Sequence, residues 1–106
     1  MKIKKDTRSD AVRFLDELRG GPLTFGALIA SIREGEGDSL ATMAAKLGVT
    51  RAVVCDIEKG RRSVSVERAA HWAKALGYPA PLFVQLALQA QVDDAGLKLT
   101  VAIKAA

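Results

Sequence analysis

From residue 40 to residue 59 the chain reads LATMAAKLGVTRAVVCDIEK, and its candidate chemistry lies in the second half of that stretch. At the 3.6-residue repeat of a helix beginning near residue 50, Arg51, Ala52, Cys55 and Lys59 fall on one stripe, with Asp56 at its margin. Val53, Val54 and Ile57 fall on the other side and turn inward. A guanidinium near the start of such a helix can donate two hydrogen bonds to guanine O6 and N7, and an alanine methyl can touch a thymine methyl. Arg51, Ala52, Cys55 and Asp56 are therefore the candidate base-contacting residues. Asp56 has two readings, as an acceptor for cytosine N4 or as a carboxylate that repels phosphate. Lys59, Arg61 and Arg62 follow the helix into a loop and suit phosphate anchoring, which positions a protein on a duplex without reading its sequence. Thr50 suits the helix cap, with a phosphate contact as a second role. A redox role for Cys55 would need a lowered thiol pKa, and only the helix context could lower it.

Such a helix needs a second one across it. Met43, Leu47, Val49, Val54 and Ile57 are apolar where two crossing helices bury each other, Ala44 is small where they touch, and Gly48 stands where the chain reverses. Between Lys46 and Lys74 seven bases face three acids, so this segment alone matches the net charge of +4 of the whole chain. A basic surplus favours an anionic partner, although it also describes an ordinary solvated face.

The rest of the chain supplies further helices. Residues 9–19 place Val12, Leu15 and Leu18 on one stripe, and residues 24–33 carry Phe25, Leu28, Ile29 and Ile32. The glycine-broken GEGD at 35–38 is a loop that leads to Ser39, an expected N-cap. Ser65 caps a helix over 66–76 whose stripe is Val66, Ala69, Trp72, Ala73 and Leu76. At this spacing Trp72 reads as core and not as a stacking platform. A last helix over 81–95 groups Leu82, Phe83, Leu86, Ala87 and Ala90. Gly48, Gly60, Gly77 and Gly96 each close a helical segment, as residues that accept the left-handed conformation do.

The final residues change period. Leu97, Leu99, Val101 and Ile103 alternate with Lys98, Thr100, Ala102 and Lys104, the repeat of a half-buried strand. A strand needs a partner, and the options are the Lys2 to Lys5 stretch or the same segment of a second copy across a two-fold axis. A frayed tail is the competing reading.

At 106 residues, 49% of them apolar, the chain suits one compact domain. It has no apolar run of membrane-spanning length and no secretory leader in MKIKKDTRSD, so a cytoplasmic protein is expected. One cysteine excludes an internal disulfide framework. An enzyme is the least supported class: His71 has no paired cysteine or acid cluster and reads as solvent-facing, no glycine loop cradles phosphate, and neither a metal nor a cofactor is expected.

Residues 24–77 resemble the Xre family of phage-repressor-like proteins, the group of the lambda and Cro repressors. The resemblance is carried by Arg33, SLATMAAKLGVT at 39–50, RAVVCDIEKGRR at 51–62 and SVERAAHWAKALG at 65–77. It implies a mainly α, lambda-repressor-like helix-turn-helix bundle, to which the residue pattern outside the shared core adds an N-terminal helix and a C-terminal β-strand that pairs across a dimer. Three regions are expected: an N-terminal extension over 1–22, the DNA-binding domain over 23–78, and a dimerisation region over 79–106. The family pairs the arginine matching Arg33 with the glutamate matching Glu58. It usually has glutamine where Leu40 stands, so backbone amides at the second helix's start, with Ser39, would have to carry that phosphate contact. It often has proline where Val64 stands.

The resemblance implies double-stranded DNA as a partner and a homodimer reading an inverted repeat, most simply as a repressor that occludes a promoter. Leu82, Phe83, Leu86, Leu97, Leu99, Val101 and Ile103 are the expected dimer contacts. Two rival readings remain. One is an antitoxin of the HigA type that also binds a toxin, through residues 9–19 or the terminal strand. The other is a protein-interaction module that has lost DNA binding, suggested by Leu40 and Asp56.

Overall fold

A computed structural model describes residues 23–106, among which five α-helices and no strand are found. They are α1 (Phe25–Gly35), α2 (Leu40–Leu47), α3 (Arg51–Glu58), α4 (Val66–Leu76) and α5 (Ala80–Asp94). The helix expected at residues 9–19 and the Lys2 to Lys5 stretch lie outside the described residues.

Hydroxyl caps set the starts of the first four helices. The side chains of Thr24, Ser39, Thr50 and Ser65 each accept a hydrogen bond from the backbone amide three residues on, which satisfies a donor the helix itself leaves orphaned. Thr24 is thus a cap and not the first helical residue the sequence pattern suggested. The turn between α2 and α3 depends on Gly48, at φ 72°, where a side chain would be strained. The Val49 amide donates to the Ala44 carbonyl at 3.0 Å and closes that turn.

A single core joins the five elements. Phe25 of α1 meets Phe83 of α5 edge to face at 5.7 Å and lies 6.4 Å from Trp72 of α4, with all three rings buried. Met43, Leu47, Val54 and Ile57 bury α2 and α3 beneath α1. α5 has its broadest contact with α4, and Phe83 and Leu86, expected at an interface between copies, are core residues at 0% and 3% exposure. The reason is size: four short helices leave Trp72 and Phe25 uncovered on one side, and α5 is the apolar surface that covers them.

Within one copy the expected C-terminal strand does not form. Residues 97–106 return along α5 without forming a ladder. The side-chain amide of Gln89 takes the place of a neighbouring strand: its Nε2 donates to the Leu99 carbonyl at 2.8 Å, and its Oε1 accepts from the Val101 amide at 2.7 Å. Val101 and Ile103 are half-buried while Leu97 and Leu99 stay exposed. The alternation in the sequence therefore marks an extended segment whose aliphatic face is covered toward its end at Val101 and Ile103 and open at Leu97 and Leu99.

One close approach sets the position of α3. A Cβ placed on Gly26 would fall well inside contact distance of the Ile57 carbonyl oxygen and 2.9 Å from that of Glu58, both backbone atoms that cannot swing away. Gly26→Ala should lower stability by about 1–3 kcal/mol through overpacking, measured by urea unfolding followed on Trp72 fluorescence. A change below a few tenths of a kcal/mol would show that α1 and α3 do not touch there.

Candidate nucleic-acid interface

α3 presents two faces. Val54 and Ile57 are buried at 0% and 2% exposure and Val53 is half-buried, whereas Arg51, Ala52 and Lys59 are exposed. Cys55 and Asp56 occupy the half-buried margins between them. Thr50 accepts from the Val53 amide at 3.3 Å, so its hydroxyl is the cap of α3 and its own hydrogen stays available to donate.

An ion pair holds the far end of α3. The Arg33 guanidinium at the end of α1 donates from Nε to Glu58 Oε2 at 2.7 Å and from Nη2 to Oε1 at 3.1 Å, while Nη1 reaches the Asp38 carbonyl at 3.1 Å. The two side chains are only 18% and 11% exposed, and hydrogen bonding to Glu58 raises the Arg33 pKa above its ordinary value. This two-pronged pair fixes direction as well as distance, because a fork of donors meets a fork of acceptors. One clamp thus links α1, the α1–α2 loop and α3.

The basic residues divide into held and free. Lys46 donates to the Asp38 carboxylate, which raises the lysine's pKa, and Arg68 lies over the Trp72 ring at 5.5 Å. Arg61 Nη1 stands 3.6 Å from Asp56 Oδ1, and its backbone amide donates to the Asp56 carbonyl at 2.8 Å. Among the described residues, Arg51, Lys59 and Arg62 make no ion pair and are exposed. The residues singled out in sequence thus gather around α3 and its exit loop, with Asp56 turned to Arg61 on the margin.

At the start of α2, Ser39 accepts from the Thr42 amide and donates to Thr42 Oγ1 at 3.0 Å. Thr42 is exposed there and carries a second hydroxyl that sequence reading passed over. Its signal was the Ser-x-x-Thr spacing, which puts both hydroxyls on one helical turn. Leu40 packs against the core, so this position serves the fold.

α2, the glycine turn and α3 with its outward cationic stripe define a helix-turn-helix module. The helix-turn-helix family HTH_3 matches residues 29–83, just over half of the chain, and the chain belongs to it. Among solved structures it is similar to an HTH_3 family transcriptional regulator from Vibrio cholerae, at 25% identity and a TM-score of 0.50 over 64% of this chain. The match spans 37% of that regulator's length. No curated protein matches the chain.

The clamp makes a measurable claim. Glu58→Gln should cost about 1–3 kcal/mol, because it leaves a largely buried guanidinium without its charge partner. Combining Arg33→Met with Glu58→Leu should recover part of that loss in thermal unfolding. Full additivity of the single replacements would show that the two side chains act separately.

Proposed function

We propose that the protein is a dimeric, sequence-specific regulator of transcription that lays α3 in the major groove of double-stranded DNA, most simply as a repressor. The observation that carries this reading is the exposed stripe of Arg51, Ala52 and Lys59, held outward from behind by Val54, Ile57 and the Arg33–Glu58 clamp. Membership of the HTH_3 family and the likeness to a transcriptional regulator support it.

Arg51 is the principal base reader, Ala52 its apolar neighbour, and Cys55 and Asp56 border them. Ser39, Thr50, Lys59, Arg61 and Arg62 anchor phosphates, Ser39 by turning its hydroxyl hydrogen from Thr42 Oγ1 to the phosphate. Asp56 holds Arg61 beside the helix and so orders an anchor that would otherwise sweep freely through solvent. One such module covers few base pairs, so two copies with recognition helices about 34 Å apart, reading an inverted repeat, are the working unit.

Loss of DNA binding is the weaker reading, because its two motives have structural explanations: Leu40 joins the core and Asp56 engages Arg61. The antitoxin reading adds a toxin to the same DNA-binding module and rests partly on residues 9–19, outside those described.

Selection from a random duplex pool should return a palindrome. Arg51→Ala should cost about 1–3 kcal/mol on that site and blur one position in each half, whereas Arg61→Ala should weaken all sequences alike and reduce the salt slope by about one. Binding indifferent to salt would refute the groove reading, and equal effects of the two replacements would refute the division of roles.

A further inference from the structure

The segment after α5 has two unlike edges. In an extended chain the amide and carbonyl of one residue point to the same side, and those of the next residue point to the other. The side facing α5 is occupied. Gln89 bridges the Leu99 carbonyl and the Val101 amide, its remaining amide hydrogen goes to Asp93 Oδ1 at 2.9 Å, and Gln85 reaches toward the Val101 carbonyl at 3.4 Å. A carbonyl at one residue and an amide two residues on, both bonded to a single amide group, is the pairing of a parallel β-bridge. Gln89 is therefore a one-residue substitute for a neighbouring strand.

The opposite edge carries the amides and carbonyls of Lys98, Thr100 and Ala102. Among the described residues no hydrogen bond reaches them, and all three residues are exposed. Beside them stand Leu97 and Leu99, at 52% and 61% exposure, which with Tyr78 are the exposed large hydrophobics among the described residues. An open edge flanked by exposed leucines is a template for another strand.

We propose that the occupant is the same segment of a second copy, paired antiparallel with its two-fold axis at Thr100. This rests on the dimeric reading above and gives it a register. The open edge must supply the hydrogen-bonded pairs, so those pairs join even-numbered residues. Centring on Thr100 sets Thr100 against its own copy and Lys98 against Ala102, and the ribbon ends before Gly96, whose amide already donates to the Asp93 carbonyl at 2.9 Å. Moving the axis to Val101 sets Lys98 against Lys104, and like charges directly opposite are unfavourable, whereas moving it to Leu99 sets Ile103 and Lys104 against Ala95 and Asp94 at the end of α5 and so shortens the ribbon. Centring on Thr100 also sets each exposed Leu99 against the other copy's Val101 and each exposed Leu97 against the other copy's Ile103. The exposed leucines of each copy thus meet the half-buried aliphatic residues of its mate. A two-stranded ribbon alone is marginal in water, and the half-exposed Leu82, Val84 and Leu88 of α5 offer the additional apolar surface it needs.

The test introduces one cysteine at a time into the full chain carrying Cys55→Ala, under mild oxidation and without DNA. Residues paired at a two-fold axis stand about 5.5 Å apart, within disulfide reach, whereas Lys98 stands about 13 Å along the ribbon from its own copy. Thr100→Cys should form covalent dimers at least about tenfold more readily than Lys98→Cys or Ala102→Cys alone, and mixing the latter two proteins should restore cross-linking. Sedimentation of the unaltered chain should give a dimer, and circular dichroism should show each variant folded. A monomer at micromolar concentration, a chain that pairs only with a copurified foreign protein, or preferential self-cross-linking at Lys98 or Ala102 would overturn the proposal. Because DNA is absent, a failure here leaves the groove reading to its own selection and salt experiments.

Discussion

The rotation of α3 about its own axis is the constraint on which the rest depends. Eight residues are too few to hold a helix in water, so the conformation and roll of α3 come from its neighbours. Val54 and Ile57 fix the buried side. The Arg33–Glu58 pair fixes the C-terminal end, and Gly26 lets α1 approach the last carbonyls of α3 within contact distance. A slip of one residue would rotate the helix by about 100°, bury Arg51 or Cys55 and expose Ile57. Apolar burial and a directional ion pair specify the same roll independently.

That geometry turns a diffuse positive charge into a local one. The basic surplus of the central segment is spread over several elements in sequence, but in space part of it is spent within the fold. Lys46 answers Asp38 and Arg68 covers Trp72. Among the described residues of that segment, Arg51, Lys59 and Arg62 on α3 and the loop after it remain exposed without such a partner, and Lys74 does so on α4. Charges held by buried or close partners must first break those contacts to neutralise phosphate, so the free set forms the centre of the electrostatic footprint, and Arg61, exposed and only loosely paired with Asp56 at 3.6 Å, joins it by exchanging that carboxylate for phosphate.

The C-terminal third joins the module to its surroundings. α5 closes the core through Phe83, and Gln91 donates to the Val64 carbonyl at 3.2 Å, which braces the loop that carries Arg61 and Arg62. Val64 is itself buried, so it serves packing where the family often has proline for stiffness. On its other side α5 carries the returning tail through Gln85 and Gln89. The same helix thus touches both the loop proposed to meet DNA and the segment proposed to meet a second copy.

Much of this was determined by residue type and spacing alone: the four central helices with their glycine stops, the caps at Ser39, Thr50 and Ser65, and the two faces of α3. These are local consequences of a 3.6-residue repeat and of capping chemistry, so they need no knowledge of the rest of the chain. The Arg33–Glu58 pair was foreseen only through family resemblance, since 25 residues separate the partners. What tertiary structure decided was occupancy. Apolar spacing says that α5 has a face to bury but not against what, and the fold spends Phe83 and Leu86 inside the monomer. Alternation in the tail says that the segment is extended with two unlike faces but not which backbone edge is filled, and only the position of Gln89 on α5 decides that. Gly26 gave no signal at all, because its requirement comes from carbonyl groups about thirty residues away that approach it only when the chain is folded.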